Sequence, residues 1–469
     1  MDSGSVPVRR TGKKFSSGPV QGWLILSLFA ALVALTGGAS RYDAIQIVPL
    51  RAFSALFLIP AFYYLTLEGM KAQRALFLLF GCYALLVLVQ LVPLPPGLWQ
   101  GLPDRGDPAR LDSVLGFQDV WRPLTLTPMR SWNALGSLVV PAAGLMLAVA
   151  LRVSARVILR VIAGLGVLNG VLGLLQIATG KSSAFYFYEL TNKGSPVGIF
   201  ANENHAAIFA ACSLLVVTSL VLRAREAQSA TWERLVYTVA FVFILLTSLV
   251  GASRAGLAAT FGAIIVSLVM LFLSPRTNRR QPVNDPVRRW LDKHPGLVLV
   301  VPVVAISLTA GAFLLLDRTP AFQDMLSRDS FADLRWSLWP VIAAMIATHW
   351  GLGTGFGSFE QVYKIYEPSE LLMPHYVNQA HNDWAQFVIE GGIPGVLILI
   401  ALFVWMACAI ARIAAKNLVN VNALFWVSIF AIIGVASLVD YPLRTPLFQV
   451  VAIWLLVALS RDMRGRNGR

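Results

Sequence analysis

The polar segment that runs from residue 374 to residue 395, PHYVNQAHNDWAQFVIEGGIPG, contains His381. An imidazole is the side chain whose ordinary pKa, near 6.5, lets it exchange a proton at neutral pH. Asn382 or Asp383 can cap a helix that follows, because short polar side chains accept hydrogen bonds from the free N–H groups of a first turn. This spacing predicts a histidine fixed at a helix start, where it could act as a base. A surface histidine in a loop is the alternative.

Two arginines stand at points where an anion could bind. Arg254 lies in LTSLVGASRAGLAA, between two apolar runs and at the predicted start of a helix. A helix N-terminus with an arginine is a natural anion site, because free N–H groups and a guanidinium both face the ligand. An arginine that extends to lipid head groups is the alternative. Arg335 opens a short apolar segment, where it could also be only a membrane anchor.

Two further motifs carry polar side chains next to apolar runs. In GIFANENHAA, Asn202 and Asn204 precede a helix and could either cap it or form hydrogen bonds with sugar or phosphate. In SLVDYPLRTP, Asp440 and Arg444 could pair with each other or contact a polar ligand.

The elements that position these residues are membrane helices. Of the 469 residues 57% are hydrophobic and 13% are charged, whereas soluble domains carry about 25% charged residues. Repeated apolar runs of near-spanning length predict an all-α, polytopic transmembrane bundle. All three cysteines lie inside apolar runs, so neither a disulfide nor a metal site is expected from them.

Length and hydropathy predict about twelve spanning helices. They lie near residues 20–38, 46–66, 74–93, 133–151, 157–178, 204–222, 235–251, 253–273, 297–316, 393–411, 421–439 and 445–460.

The orientation follows from the basic residues of the short loops, which stay on the cytoplasmic side of a membrane. With the N-terminus inside, the even-numbered loops carry Lys71, Arg74, Arg152, Arg156, Arg223, Arg225, Arg234, Arg276, Arg279, Arg280, Arg288, Arg289, Lys293, Arg412 and Lys416. This placement explains the net charge of +14. It also argues against nucleic-acid binding, since the basic residues share no face.

The predicted organisation has five parts. A basic cytoplasmic N-terminus covers residues 1–19, nine spanning helices cover 20–316, and a long outer-face loop with interfacial helices covers 317–392. Three more spanning helices cover 393–460, and a basic cytoplasmic tail covers 461–469. Within the long loop, the segment 336–350 is too short to span the membrane. It is rich in tryptophan and is expected at the membrane interface.

A break is predicted inside the apolar run that follows His381. Residues 383–390 have the pattern of a short interfacial helix, Gly391-Gly392 turns the chain, and Pro394 starts the spanning helix. The turn would keep the Glu390 carboxylate out of the hydrocarbon.

Four segments together resemble the O-antigen ligase and O-antigen polymerase superfamily of bacterial inner-membrane glycosyltransferases. They are GIFANENHAAIFA, SRAGLAA, RWSLWPVIAAMIATHWGLGTGFGSF and HNDWAQFVIEGGIPG, in that order over roughly residues 198–446. The spacing of ten residues between His381 and Gly392 is similar to that of the family, whereas DYPLRTP looks more like polymerase members than like core ligases.

The resemblance implies a metal-independent, inverting transfer of a glycan from undecaprenyl diphosphate to an acceptor hydroxyl at the periplasmic face of the inner membrane. It implies that His381 acts on the acceptor and that Arg254 and Arg335 hold the diphosphate, with no cofactor. The acceptor would be another glycan, a lipid A core or another hydroxyl compound. Membrane lipids and polysaccharide assembly proteins are the further partners expected.

Two rival classes remain at this point. A transporter or flippase of a lipid-linked sugar would place ionisable residues near the bilayer midplane, whereas here they cluster at helix ends, with Arg51 as the exception. A structural scaffold would leave His381 and the arginines unexplained.

Overall fold

The computed structural model describes residues 19–227, 231–251, 253–274, 330–372, 377–415 and 420–465. These residues form helices joined by short loops. Two two-residue strands, β1 (Pro93–Leu94) and β2 (Arg122–Pro123), pair antiparallel within the segment between the third and fourth predicted spans. The prediction of an all-α membrane protein is confirmed.

The helices of the first half are α1 (Pro19–Thr36), α2 (Ile47–Tyr64), α3 (Leu67–Ala72), α4 (Arg74–Val89), α5 (Pro96–Trp99), α6 (Gly106–Val114), α7 (Pro128–Ser137), α8 (Val139–Ala150), α9 (Ala155–Thr179), α10 (Glu203–Glu226), α11 (Thr231–Val250) and α12 (Arg254–Leu273). Those of the second half are α13 (Ser330–His349), α14 (Phe359–Tyr366), α15 (Asp383–Ala414), α16 (Val421–Val439) and α17 (Pro446–Arg464), with 3₁₀ turns at Ser369–Leu371 and Pro442–Arg444.

Nine helices within the described ranges are long and apolar enough to cross a membrane, and two shorter apolar helices, Gly22–Thr36 and Arg74–Val89, accompany them. Together they account for every predicted span except the one at 297–316. That segment, both termini and residues 317–329 of the long loop lie outside the described residues.

Helix α10 forms the centre of the bundle. Its membrane-length window is 94% buried, as expected for a helix that is apolar on all sides. It packs against α9, α11, α12 and α16. Small residues permit these close approaches: a Cβ atom on Gly256 of α12 would lie only 2.2 Å from that of Ala207.

The predicted break at Gly391-Gly392 is present. Gly392 has φ 56° and ψ −155° inside α15, so the helix is interrupted there. A Cβ at this position would lie 2.6 Å from the carbonyl oxygen of Gly351, which accepts a hydrogen bond from the Ile393 N–H. Only glycine fits this combination of positive φ and close backbone approach.

Helix α13 begins six residues before the predicted interfacial segment at 336. Its buried side packs against α14 and α15 through Leu338, Ile342 and Met345. Trp336 and Trp339 are exposed. Its position at the membrane interface stays a prediction.

Candidate active site

His381 lies in the turn that immediately precedes α15. Its backbone has φ 51°, a left-handed conformation that is uncommon for a residue other than glycine. The side chain of Asn382 caps the helix by accepting a hydrogen bond from the Ala385 N–H at 2.9 Å. The N–H of Ala380 donates to the side chain of Gln386 at 2.9 Å. The turn is thus tied to the helix on both sides of the histidine.

Asp440 lies between two histidine rings. Its Oδ1 atom is 3.9 Å from Nδ1 of His381 and 3.7 Å from Nε2 of His205. Both distances exceed a hydrogen bond but permit a strong electrostatic attraction if either ring becomes charged. The carboxylate itself is fixed by hydrogen bonds from the Tyr441 N–H and from Nδ2 of Asn204, each 2.9 Å long.

The ring of Tyr441 separates the two imidazoles. Its centroid is 4.9 Å from that of His381 and 5.1 Å from that of His205, and both contacts are edge-to-face. His205 is buried, with 1% of its surface exposed. His381 is partly exposed, and it is the histidine of this pair that a substrate can reach.

Arg444 connects α15 to the loop between α16 and α17. Its Nη1 is 2.7 Å from Oε2 of Glu390, and its Nε is 3.5 Å from Oδ1 of Asp383. Burial acts to lower the pKa of Arg444, but the carboxylates of Glu390 and Asp383 outweigh it and raise that pKa. Arg444 is therefore held as a cation. Its carboxylate partners are Glu390 and Asp383, and not Asp440, the partner considered from the sequence.

Asp383 does not cap α15. Its Oδ2 accepts hydrogen bonds from Oγ of Ser437 at 2.9 Å and from the N–H of Leu443 at 3.0 Å. It therefore fastens the first turn of α15 to the end of α16 and to the turn that carries Arg444.

Glu390 is fully buried, and its carboxylate oxygens are held by polar groups. Besides Arg444, its oxygens accept hydrogen bonds from the N–H groups of Gly357 and Phe359, at 3.2 and 3.3 Å, and from the side chain of Gln386. The polar side of the 383–390 helix is therefore buried, whereas Trp384, Phe387 and Val388 of its apolar side are partly exposed.

The other four predicted site residues have different positions. Asn202 caps α10 by accepting a hydrogen bond from the Asn204 N–H at 2.8 Å, so the capping role is present. Asn204 belongs to the Asp440 cluster. Arg254 is the first residue of α12, whose first turn packs on that of α10 near Ala207. The side chain of Arg335 lies outside the described residues, although its backbone is part of α13.

A cavity of about 150 Å³ adjoins this cluster. Gln386, Glu390 and Arg444 form one wall, while α2 and α7 contribute Arg51 and Arg130 to another. The sequence had singled out Arg51 only as an ionisable residue within a span, and it had not singled out Arg130.

The arginines of that second wall are held by different partners. Arg130 pairs with Glu360 at 3.2 Å and lies 3.3 Å above the ring centroid of Tyr42. Arg51 donates to Oδ1 of Asn133 at 2.7 Å. Arg51 is the fifth residue of α2 and so lies close to the helix end.

The arrangement can accept a proton at His381 and stabilise the resulting imidazolium with Asp440. It can also bind polar or anionic groups through guanidiniums at the adjacent helix ends. Fold and site together define a polytopic helical membrane protein with a histidine–carboxylate–arginine cluster at one end of its bundle.

Residues 239–400 match the family model described as O-antigen ligase. The match covers about a third of the chain and includes Arg254, Arg335 and His381. It confirms the resemblance to the O-antigen ligase and O-antigen polymerase superfamily. Among curated proteins no match was found.

Proposed function

We propose that this protein is a glycosyltransferase that moves a glycan from undecaprenyl diphosphate to an acceptor hydroxyl. The O-antigen ligase match supports ligase- or polymerase-type activity in general. The donor, the inversion at the anomeric carbon, the independence from metal and the inner-membrane, periplasmic location are parts of the proposal. They rest on the resemblance of the motifs quoted above.

One observation carries the proposal: His381 stands partly exposed at the start of α15, beside a carboxylate that is itself fixed by two hydrogen bonds. A base needs access to the acceptor and a partner for the charge that it gains. His381 and Asp440 provide both, and His381 lies inside the matched region.

In the proposed step, the acceptor oxygen attacks the anomeric carbon and its proton passes to His381. The bond between that carbon and the diphosphate oxygen breaks, and the leaving diphosphate keeps the electron pair. Attack from the opposite side inverts the configuration. Asp440 stabilises the imidazolium, so we assign it a positioning and electrostatic role.

The leaving diphosphate gains negative charge as the bond breaks, and cationic side chains lower the energy of that change. We assign this role to Arg254 and Arg335, as the resemblance implies. The position of Arg254 supports the assignment, because α12 begins beside the first turn of α10, which carries Asn204. Asn202 and Asn204 would then orient the site through their contacts rather than bind sugar directly.

The test is the His381→Ala variant, assayed as the purified protein with a lipid-linked donor and an acceptor. We expect transfer to be lost while donor binding is retained. His349→Ala is a matched control, since that histidine contacts Asp104 at 2.8 Å and Tyr366 at 3.1 Å instead. Normal transfer by His381→Ala would overturn the assignment.

The periplasmic location of the site has a separate test. Ser369 is exposed, in the 3₁₀ turn between α14 and α15. A cysteine at this position is expected to react with an impermeant reagent in intact cells from which the outer membrane barrier has been removed. Labelling only after lysis would place the site on the other side.

The nature of the acceptor can be read from a deletion strain. Single repeats on the lipid core without long polymer would identify a polymerase, and unligated lipid-linked polymer would identify a ligase. A transporter would instead move the donor without forming a product. The described cluster lies at helix ends, not at mid-span, and so gives that alternative no support.

A further inference from the structure

We propose that the cavity lined by Gln386, Glu390 and Arg444 binds one sugar ring that carries a carboxylate, as part of the acceptor glycan. This inference rests on the proposed glycan transfer and adds the substrate class. The cavity is lined by parts of the chain that lie outside residues 239–400, among them Tyr42, Arg51 and Arg130.

The chemistry of the lining suits a sugar. Side-chain amides offer both donors and acceptors to hydroxyl groups, and the cavity has five of them, from Asn133, Asn378, Gln379, Gln386 and Gln449. Aromatic faces, which pack against the C–H groups of a ring, come from Tyr42, Tyr83, Phe356 and Phe359. The volume of about 150 Å³ is below the range of roughly 300–1,000 Å³ that holds drug-sized ligands. It therefore fits a single ring better than a chain.

The charges of the lining select for an anion with one negative charge. Two of its three arginines are matched by carboxylates: Arg130 by Glu360 and Arg444 by Glu390. Arg51 forms its hydrogen bond with the neutral amide of Asn133, and within the described residues no ion pair of Arg51 is present. One positive charge is thus left for a ligand.

The same charges argue against the diphosphate of the donor as the occupant. A diphosphate would bring at least two negative charges next to Glu360 and Glu390, and like charges at such distances repel. A uronic acid brings one carboxylate, which a guanidinium can bind through two parallel hydrogen bonds.

The cavity also shares two residues with the contacts that hold the turn of His381. Gln386 lines it and accepts the hydrogen bond from the Ala380 N–H, one residue before His381. Arg444 lines it as well and contacts Asp383, two residues after His381. A ring held in the cavity would therefore contact the residues that hold the turn on both sides of His381.

The test measures binding of glucuronic acid, glucose and pyrophosphate to the full-length protein in nanodiscs by saturation-transfer NMR. We expect glucuronic acid to bind at least about tenfold more tightly than glucose, as a charge-assisted hydrogen bond predicts. The Arg51→Gln variant should bind glucuronic acid no more tightly than glucose. Arg110 is an exposed arginine paired with Asp107, so the Arg110→Gln variant is the matched control. It should keep the preference for glucuronic acid over glucose, as should the His381→Ala variant.

Two results would overturn the inference. If the wild-type protein binds glucuronic acid and glucose equally, or binds neither detectably, the cavity is not a carboxylate site. This conclusion does not depend on any variant. Displacement of glucuronic acid by pyrophosphate in a manner that depends on Arg51 would assign the cavity to the donor. If glucuronic acid binds as expected but the wild-type protein transfers no glycan, the proposed function fails and the binding site stands.

Discussion

Replacing Asp440 by asparagine removes one negative charge from between His205 and His381 and keeps the shape of the side chain. The hydrogen bond from the Tyr441 N–H can persist, and the amide of Asn204 can rotate to offer its oxygen. At the 3.9 Å separation between Asp440 Oδ1 and His381 Nδ1, the attraction to an imidazolium is about 4 kcal/mol at an effective dielectric constant of 20. It is about 1 kcal/mol in water.

Only part of the proton's charge resides on His381 in the transition state, so about half of this attraction acts on the rate. The expected loss in kcat is roughly 2-fold to 30-fold. Because Asp440 is buried, with 3% of its surface exposed, we expect the upper end of this range. The effect should appear in kcat and not in KM for the donor, since the charge develops during the reaction.

The assay is steady-state transfer by the purified variant, with Asp462→Asn as the control. Asp462 is also a carboxylate near a helix end, where it accepts hydrogen bonds from Arg223 and Trp426. Its replacement is expected to reduce stability and to leave kcat unchanged. An unchanged kcat in Asp440→Asn, or an equal decrease in both variants, would refute the electrostatic role.

Three further predictions concern stability, each measured by unfolding of the detergent-solubilised protein. The Glu390→Gln variant removes the negative charge that Arg444 contacts at 2.7 Å. We expect it to lower the free energy of unfolding by about 3 kcal/mol, as for other broken buried pairs. An unchanged free energy of unfolding would mean that Asp383 alone suffices as the charge partner of Arg444. The Gly392→Ala variant places a Cβ atom against neighbouring backbone at a position with positive φ. We expect it to lower the free energy of unfolding by at least about 2 kcal/mol. A variant as stable as the wild-type protein would contradict the break in α15. Burial lowers the pKa of His349. The unfolded state therefore binds more protons than the folded state, and stability should decline as pH falls below about 6.5. The His349→Gln variant should show a weaker decline. If the stability of the variant and of the wild-type protein depended on pH in the same way, a contribution from His349 would be excluded.

The helices could be predicted because apolar length is a local property of the chain. The same is true of the turn at His381: Asn382 is a favourable cap, and it caps α15. The interruption at Gly392 could also be predicted, since paired glycines followed by a proline disfavour a continuous helix. In each case the physical cause lies within a few residues of its effect.

The partners of the charged residues could not be predicted. Glu390 contacts Arg444 across 54 residues, and Arg130 contacts Glu360 across 230 residues. Such pairs depend on which helix ends meet, which periodicity does not specify. The sequence predicted an interfacial helix over residues 383–390 with the Glu390 carboxylate outside the hydrocarbon, but it did not predict which groups would surround Gln386 and Glu390. Glu390 is buried because Arg444 and the N–H groups of Gly357 and Phe359 satisfy it, and Gln386 is buried because the Ala380 N–H, Gln379 and Glu390 satisfy it.

The interruption of α15 explains how one helix can serve both a buried charge network and a membrane span. At Gly353 and Gly392 the loop before α14 approaches the carbonyl groups of the broken turn, where a Cβ atom would lie within 2.6 Å of backbone. This approach brings the N–H groups of Gly357 and Phe359 to Glu390. Glu390 in turn holds Arg444, which contacts Asp383 two residues after His381. The break therefore fixes the histidine through a chain of polar contacts, and a continuous helix would lose that chain because Glu390 would no longer meet the loop.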